Sequence, residues 1–362
     1  MICAADIDIS DNYPQNMNMM DNITECLVRL QHSNAKGGSV LFATKKFLWK
    51  AAAVVAVAVG IILAGYAVLN RMNRETGTPP VKHGPVIPAA VPKRGVILFQ
   101  SRVGGLWQIF SLDLSSGART RLTRSKVDDI HPSVSPDGSW IAFESARTGT
   151  ASVWRMRADG SGVERLTDGR RECLDPSWTS GGSSILYGCP KPGEIFIMDL
   201  ATRQELQLTD SIWRSILPVA SPDGSIIAFT RNKLGWGVYR MNSDGSGVTA
   251  LSTKGGSCRP DWSPDGKRIA YVSSIADGRG DVWIMDADGG NKIRVTLSDD
   301  SYDYNPAWSP DGRWIVYETT KGSKRGPWSL AVIPAGGGTP ALLTPPGADD
   351  RFPDWAPGKE LQ

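Results

Sequence analysis

One short turn, Ser-Pro-Asp-Gly, constrains this protein more than any other feature, because it returns at a nearly fixed interval. It stands at Ser135–Gly138, Ser221–Gly224, Ser263–Gly266 and Ser309–Gly312, with degraded copies at Thr179–Gly182 and Ala356–Gly358. A further Pro precedes each copy, at Pro132, Pro176, Pro218, Pro260, Pro306 and Pro353, and the Pro-to-Pro steps are 44, 42, 42, 46 and 47 residues. That period belongs to a four-stranded propeller blade. Within each turn Pro presets φ, Asp tolerates the next position, and Gly takes the left-handed conformation that reverses the backbone. Short apolar strands follow, at Trp140–Phe143, Ile185–Tyr187, Ile226–Phe229, Ile269–Tyr271 and Trp314–Tyr317.

The count predicts closure. There are six Pro-led first strands, and six second strands once Val96–Phe99 is included. Val96–Phe99 has no first strand before it, and Phe352–Trp355 has no second strand after it. The two orphans complete each other, which removes the open edges that invite aggregation. The expected fold is all-β, a six-bladed β-propeller over 95–362 closed by the C-terminal strand, preceded by one transmembrane helix.

These units resemble the Pro-Asp-Gly-type, WD40-like propeller repeats of the TolB family, which also occur in prolyl oligopeptidase relatives. Pro260–Gly266 and Pro306–Gly312 carry the resemblance most clearly, and it extends from about Gly95 to Gln362. It implies a bacterial extracytoplasmic propeller and is far more specific for fold than for activity. The sequence departs from the TolB pattern ahead of the propeller, where an apolar segment and a Pro-rich stretch replace an α/β domain and a cleaved signal. The layout also resembles bacterial regulators that join a cytoplasmic DNA-binding domain, a span and such a propeller, but 46 residues are too few for that domain.

Ala51–Leu69 runs for 19 residues without a charge. At 1.5 Å rise per residue this is about 28 Å, close to the ~30 Å hydrocarbon core. The expected organisation is a short N-terminal cytoplasmic tail over 1–46, a signal-anchor helix over 47–70, and a Pro-rich linker over 71–94. Lys36, Lys45, Lys46 and Lys50 precede the span and Arg71, Arg74 and Lys82 follow it. This bias places the N-terminus inside and the propeller in the periplasm or outside the cell, anchored in the bacterial inner membrane.

Charge and motifs narrow the function. The net charge of +3 is spread over 40 basic and 37 acidic residues, so no nucleic-acid footprint appears. No Gly-x-Ser-x-Gly elbow, P-loop or Rossmann glycine pattern is present. Of three His, only His131 falls in the propeller, which disfavours a Ser-His-Asp or multi-His metal site. Asp286-Ala287-Asp288-Gly289 lacks the distal Glu of a calcium loop, since Leu297 stands there. No catalytic residue, metal or cofactor is expected.

The loops entering the first strands converge on one channel mouth. They carry Asp128, Asp129, His131, Glu172, Asp175, Arg214, Arg259, Asp303, Asn305, Asp350 and Arg351. A mixed-charge ring there suits a protein or peptide partner, or a small polar ligand. The basic run Lys321, Lys324, Arg325 reads as a solvated face, with a phospholipid head group or acidic partner as the sharper alternative. The reading is a membrane-anchored, non-enzymatic scaffold or sensor at the cell envelope. Its alternatives are a hydrolase or lyase using the mouth, or the sensory half of a transmembrane transcriptional regulator or kinase.

A disulfide is expected between Cys173 and Cys189. The reversal in the second repeat centres near position 181.5, which sets the two within one residue of direct opposition across antiparallel strands. Cys258 has no Cys in the matching second strand and is expected to stay free.

Overall fold

The computed structural model describes Val91 and residues 95–191, 193–322 and 324–357. Among them no helix is long and apolar enough to cross a membrane; the expected span over 47–70 lies outside them, as do the tail over 1–46 and nearly all of the linker. The strands fall into six antiparallel sheets of four. The first five are headed, in sequence order, by β4 (Asp129–Val134), β8 (Leu174–Trp178), β12 (Arg214–Ala220), β16 (Cys258–Trp262) and β20 (Ser301–Trp308). The sixth joins the two ends: β24 (Asp350–Trp355) pairs with β1 (Val96–Val103), followed by β2 (Leu106–Asp113) and β3 (Arg119–Arg121). Ile97 faces Trp355 and Ser101 faces Asp350, so the C-terminal strand is the innermost of the blade that β1 begins.

Apolar residues bury between blades rather than within them. Leu98 and Ile109 of the sixth blade pack with Ile141 and Phe143 of the first. Ala142 and Val153 of the first pack with Ile185 and Tyr187 of the second, and the alternation continues around the ring. Inner-strand Trp residues tie the seams. Trp178 Nε1 donates to the Ser133 carbonyl of the preceding blade at 3.0 Å, and Trp262 Nε1 to that of Val219 at 3.3 Å.

The repeated turn serves two ends. Ser135 Oγ donates to Asp137 Oδ1 at 2.5 Å and accepts the Trp140 amide at 2.9 Å, and the other three intact copies repeat both bonds. The hydroxyls of Ser135 and Ser139 hold the Asp137 carboxyl down at about 2. Neighbouring turns also meet at the Gly, at ordinary van der Waals spacing. A Cβ on Gly266 would stand 3.7 Å from Pro222 Cδ, one on Gly312 3.7 Å from Pro264 Cδ, and one on Gly138 3.8 Å from Pro357 Cγ. The degraded copy at Ala356–Gly358 thus supplies the Pro that meets the first turn.

Candidate functional site

Each inner strand kinks at the residue before its repeat Pro. His131, Asp175, Leu217, Arg259, Asn305 and Phe352 have φ of 51°, 54°, 53°, 57°, 49° and 53°. The register slips at the same place in all six blades. A residue before Pro is normally extended, and left-handed φ is uncommon outside Gly, with Asn, Asp and His the most tolerant. Three of the six are of that kind. The bulge turns all six side chains into the mouth of the central channel, which encloses about 170 Å³.

Second-strand side chains hold several of these kinks by capping the next blade's strained amide. Gln100 Oε1 accepts from the His131 amide at 2.9 Å, Thr230 Oγ1 from Arg259 at 3.0 Å, and Glu318 Oε2 from Phe352 at 2.8 Å.

The ring has two chemically distinct sides. On one, His131 Nδ1 lies 3.1 Å from both Glu144 Oε2 and Asp175 Oδ1. Burial alone would lower the imidazole pKa, but bonds to the two carboxylates outweigh it and push it up to about 9. Burial pushes Glu144 up as well, against the pull of His131. These three groups lie within 4.8 Å of one another and form a donor set able to hold a cation. As they stand, the imidazolium satisfies both carboxylates. On the other side, Arg259 Nη1 donates to Asn305 Oδ1, and the Phe352 ring lies between the two halves, 4.0 Å from the His131 ring and 5.0 Å from the Arg259 guanidinium.

Below the ring, Asp354 Oδ2 accepts from the Val134 amide at 2.7 Å and Asp261 Oδ2 from Trp308 at 2.8 Å, each clasping one blade to the next. Burial pushes Asp261 up to about 7, with Asp354 adding repulsion, and burial pushes Asp354 up to about 6.

The other residues read from the sequence as a mouth ring divide by role. His131, Asp175, Arg259 and Asn305 line the channel. Asp129 pairs instead with Arg147 at 2.7 Å, Asp350 with Arg119 at 2.7 Å, and Arg351 with Glu318 at 2.9 Å, all within or between blades. Asp303 accepts from Thr319 at 2.6 Å and Asp128 from the Trp107 amide at 2.8 Å. Glu172 and Arg214 are half-buried and are not among the residues that line the channel. Sequence reasoning misses Leu217, Phe352, Glu144, Asp261 and Asp354. The column before each repeat Pro identifies the first two, which a search for polar residues passes over. Leu174 faces Gly188, which sets Cys173 opposite Cys189, and the two are joined by a disulfide with Cα atoms 4.2 Å apart. Cys258 is a disulfide cysteine too, rather than the free thiol expected. That expectation considered only the matching second strand of its own blade.

Comparison with known proteins places this architecture. The TolB beta propeller domain family matches residues 81–193 and 190–359, most of the sequence. An uncharacterised protein of Agrobacterium fabrum is 32% identical over 171 residues, covering 46% of this chain and 47% of its own. The Tol-Pal system protein TolB of Francisella tularensis is 25% identical over 212 residues, covering 56% and 48%. The crystal structure of TolB from Acinetobacter baumannii superposes with a TM-score of 0.62 at 25% identity, over 72% of this chain and 66% of that one. The chain spans about half the length of the curated relatives it matches.

Proposed function

Since the chain belongs to the TolB β-propeller family, we propose that it acts as a non-enzymatic binding scaffold at the bacterial cell envelope, taking a protein or peptide partner at the channel mouth. One observation carries the reading: six strained residues, one per blade, are aimed into a single cavity. Left-handed conformations of bulky residues such as Leu217, Arg259 and Phe352 cost of order 1–3 kcal/mol each, and such strain gathers at functional sites. A fold that only needed to close its ring would relax these positions to Gly.

The relation to the Tol-Pal protein TolB of Francisella tularensis supports a protein partner in the envelope. In the same reading 47–70 anchors the protein in the inner membrane and the propeller stands outside the cytoplasm. The scaffold is a sensor only if the partner's binding is relayed through that anchor. Val96 faces Asp113 at the turn end of the sixth blade, so the backbone enters on the face opposite the mouth.

The test places a photo-crosslinking residue at Leu217 in the mouth and, separately, at Val163, exposed beside an outer strand of the first blade. Irradiation in native membranes should give an adduct of defined mass from position 217 alone. Identical products from both positions, or none from 217, would overturn the mouth as a binding site.

A further inference from the structure

Arg259 is 6% exposed, and among the described residues it makes no ion pair. Its Nη1 is committed to Asn305 Oδ1, whereas its Nε is buried with no hydrogen-bond partner. Asn305 is 9% exposed, and its Nδ2 is buried and unpartnered too. Both side chains line the channel cavity. A buried guanidinium without a counter-charge is costly, and each buried donor left unmade adds to that cost. The arrangement is therefore incomplete without an acceptor.

We propose that Arg259 and Asn305 form a carboxylate-recognition site, which takes an acidic group presented by an extended peptide. The proposal rests on the mouth-binding reading above and names what is bound there. With Nη1 engaged, the edge of the guanidinium that remains is the fork of Nε and Nη2, the planar pair of donors that a carboxylate meets with two oxygens. Asn305 Nδ2 adds a third donor. The Phe352 ring covers the guanidinium at 5.0 Å, and Leu217 lies in the neighbouring blade, so apolar walls flank the polar end. The remaining acids of the channel are each engaged elsewhere. Glu144 and Asp175 share His131, while Asp261 and Asp354 accept backbone amides. The cavity of about 170 Å³ has room for an inserted side chain.

Two sources offer this group, an Asp or Glu side chain and the free C-terminus of a polypeptide. Full-length protein in detergent is titrated, by ligand-observed NMR, with four peptides: a capped Gly-Glu-Gly, a capped Gly-Gln-Gly, an acetylated Gly-Gly-Gly with a free carboxyl, and its C-terminal amide. The site requires at least tenfold tighter binding of one or both carboxylates than of their amide counterparts. The Glu peptide winning assigns the side chain, and the free-carboxyl peptide winning assigns the terminus. Arg259→Gln should remove the preference, and Arg259→Lys, which keeps the charge and loses the fork, should weaken it severalfold. Asn305→Ala supplies an independent reduction should the Arg259 variants unfold. Equal binding of acid and amide, no binding of any peptide, or a preference that survives Arg259→Gln would each overturn the site. If the position-217 crosslink persists unchanged in Arg259→Gln, the carboxylate site falls and mouth binding stands. If wild-type protein gives no crosslink, the mouth reading itself falls.

Discussion

Removing the indole of Trp355 tests whether the C-terminal strand closes the ring energetically as well as geometrically. Trp355 is 5% exposed and packs with Phe99 and Leu112 of the sixth blade and with Val316 and Leu330 of the fifth. A Cβ on Gly95 would come within 2.9 Å of its Nε1, so the backbone leading into β1 lies close against the indole. Truncation of a buried Trp to Ala costs ~3–5 kcal/mol. At about 2 °C per kcal/mol for a domain of this size, Trp355→Ala should melt roughly 6–10 °C below the parent. Arg102→Ala, at the exposed tip of the β1–β2 hairpin of the same blade, is the matched control and should stay within ~1 °C. Deleting residues from Asp350 onward also removes the pairs Asp350–Arg119 and Arg351–Glu318. The combined loss approaches the ~5–15 kcal/mol that holds a domain folded, and the truncated protein should lose its near-ultraviolet circular dichroism. A Trp355→Ala melt indistinguishable from that of Arg102→Ala would refute the closure argument.

Three further outcomes are expected. The Cys173–Cys189 bridge joins residues 16 apart in sequence, so Cys189→Ser should cost about 3 kcal/mol in protein folded under oxidising conditions, and peptide mapping of non-reduced parent protein should find the linked pair. Burial pushes Asp261 up to about 7 and Asp354 up to about 6 from the ordinary 3.8, so ionisation is disfavoured in the folded state; stability from these groups is full below pH ~4 and is lost as pH rises towards 7, by at most about 1.4 kcal/mol per pH unit for each. Asp261→Asn should flatten that slope in melts taken across the window, and an unchanged slope would count against buried carboxyls as its source. For topology, a reporter fused after Gln362 that works only outside the cytoplasm should be active, and activity of a cytoplasmic reporter there would remove both the orientation and the compartment.

The parts of this protein that are legible in its sequence are those fixed by local chemistry repeated around the ring. Ser-Pro-Asp-Gly announces itself because hydroxyl, carboxylate and left-handed Gly act within a few residues of one another, as in Ser135, Asp137 and Trp140. Blade count and closure follow from that period. The mouth is legible only in part, because two kinds of residue meet near it. Asp129 and Asp350 are as polar as Asp175 and sit two residues before the kinks at His131 and Phe352. Strand alternation would give residues two apart the same face, yet these carboxylates turn to Arg147 and Arg119 inside the blades. What separates the two sets is the left-handed φ before each repeat Pro, which breaks the alternation and which sequence rules disfavour at that position. Nor does any local signal announce Glu144, which lies near the end of an apolar second strand and meets His131 of the strand beside it. Once the kink is known, the six columns can be read directly: His131, Asp175, Leu217, Arg259, Asn305 and Phe352 differ from one another although their backbones agree. Backbone uniformity is what the fold requires of that column. Its side-chain variety therefore has another origin, and the channel into which all six point is where a ligand would read it.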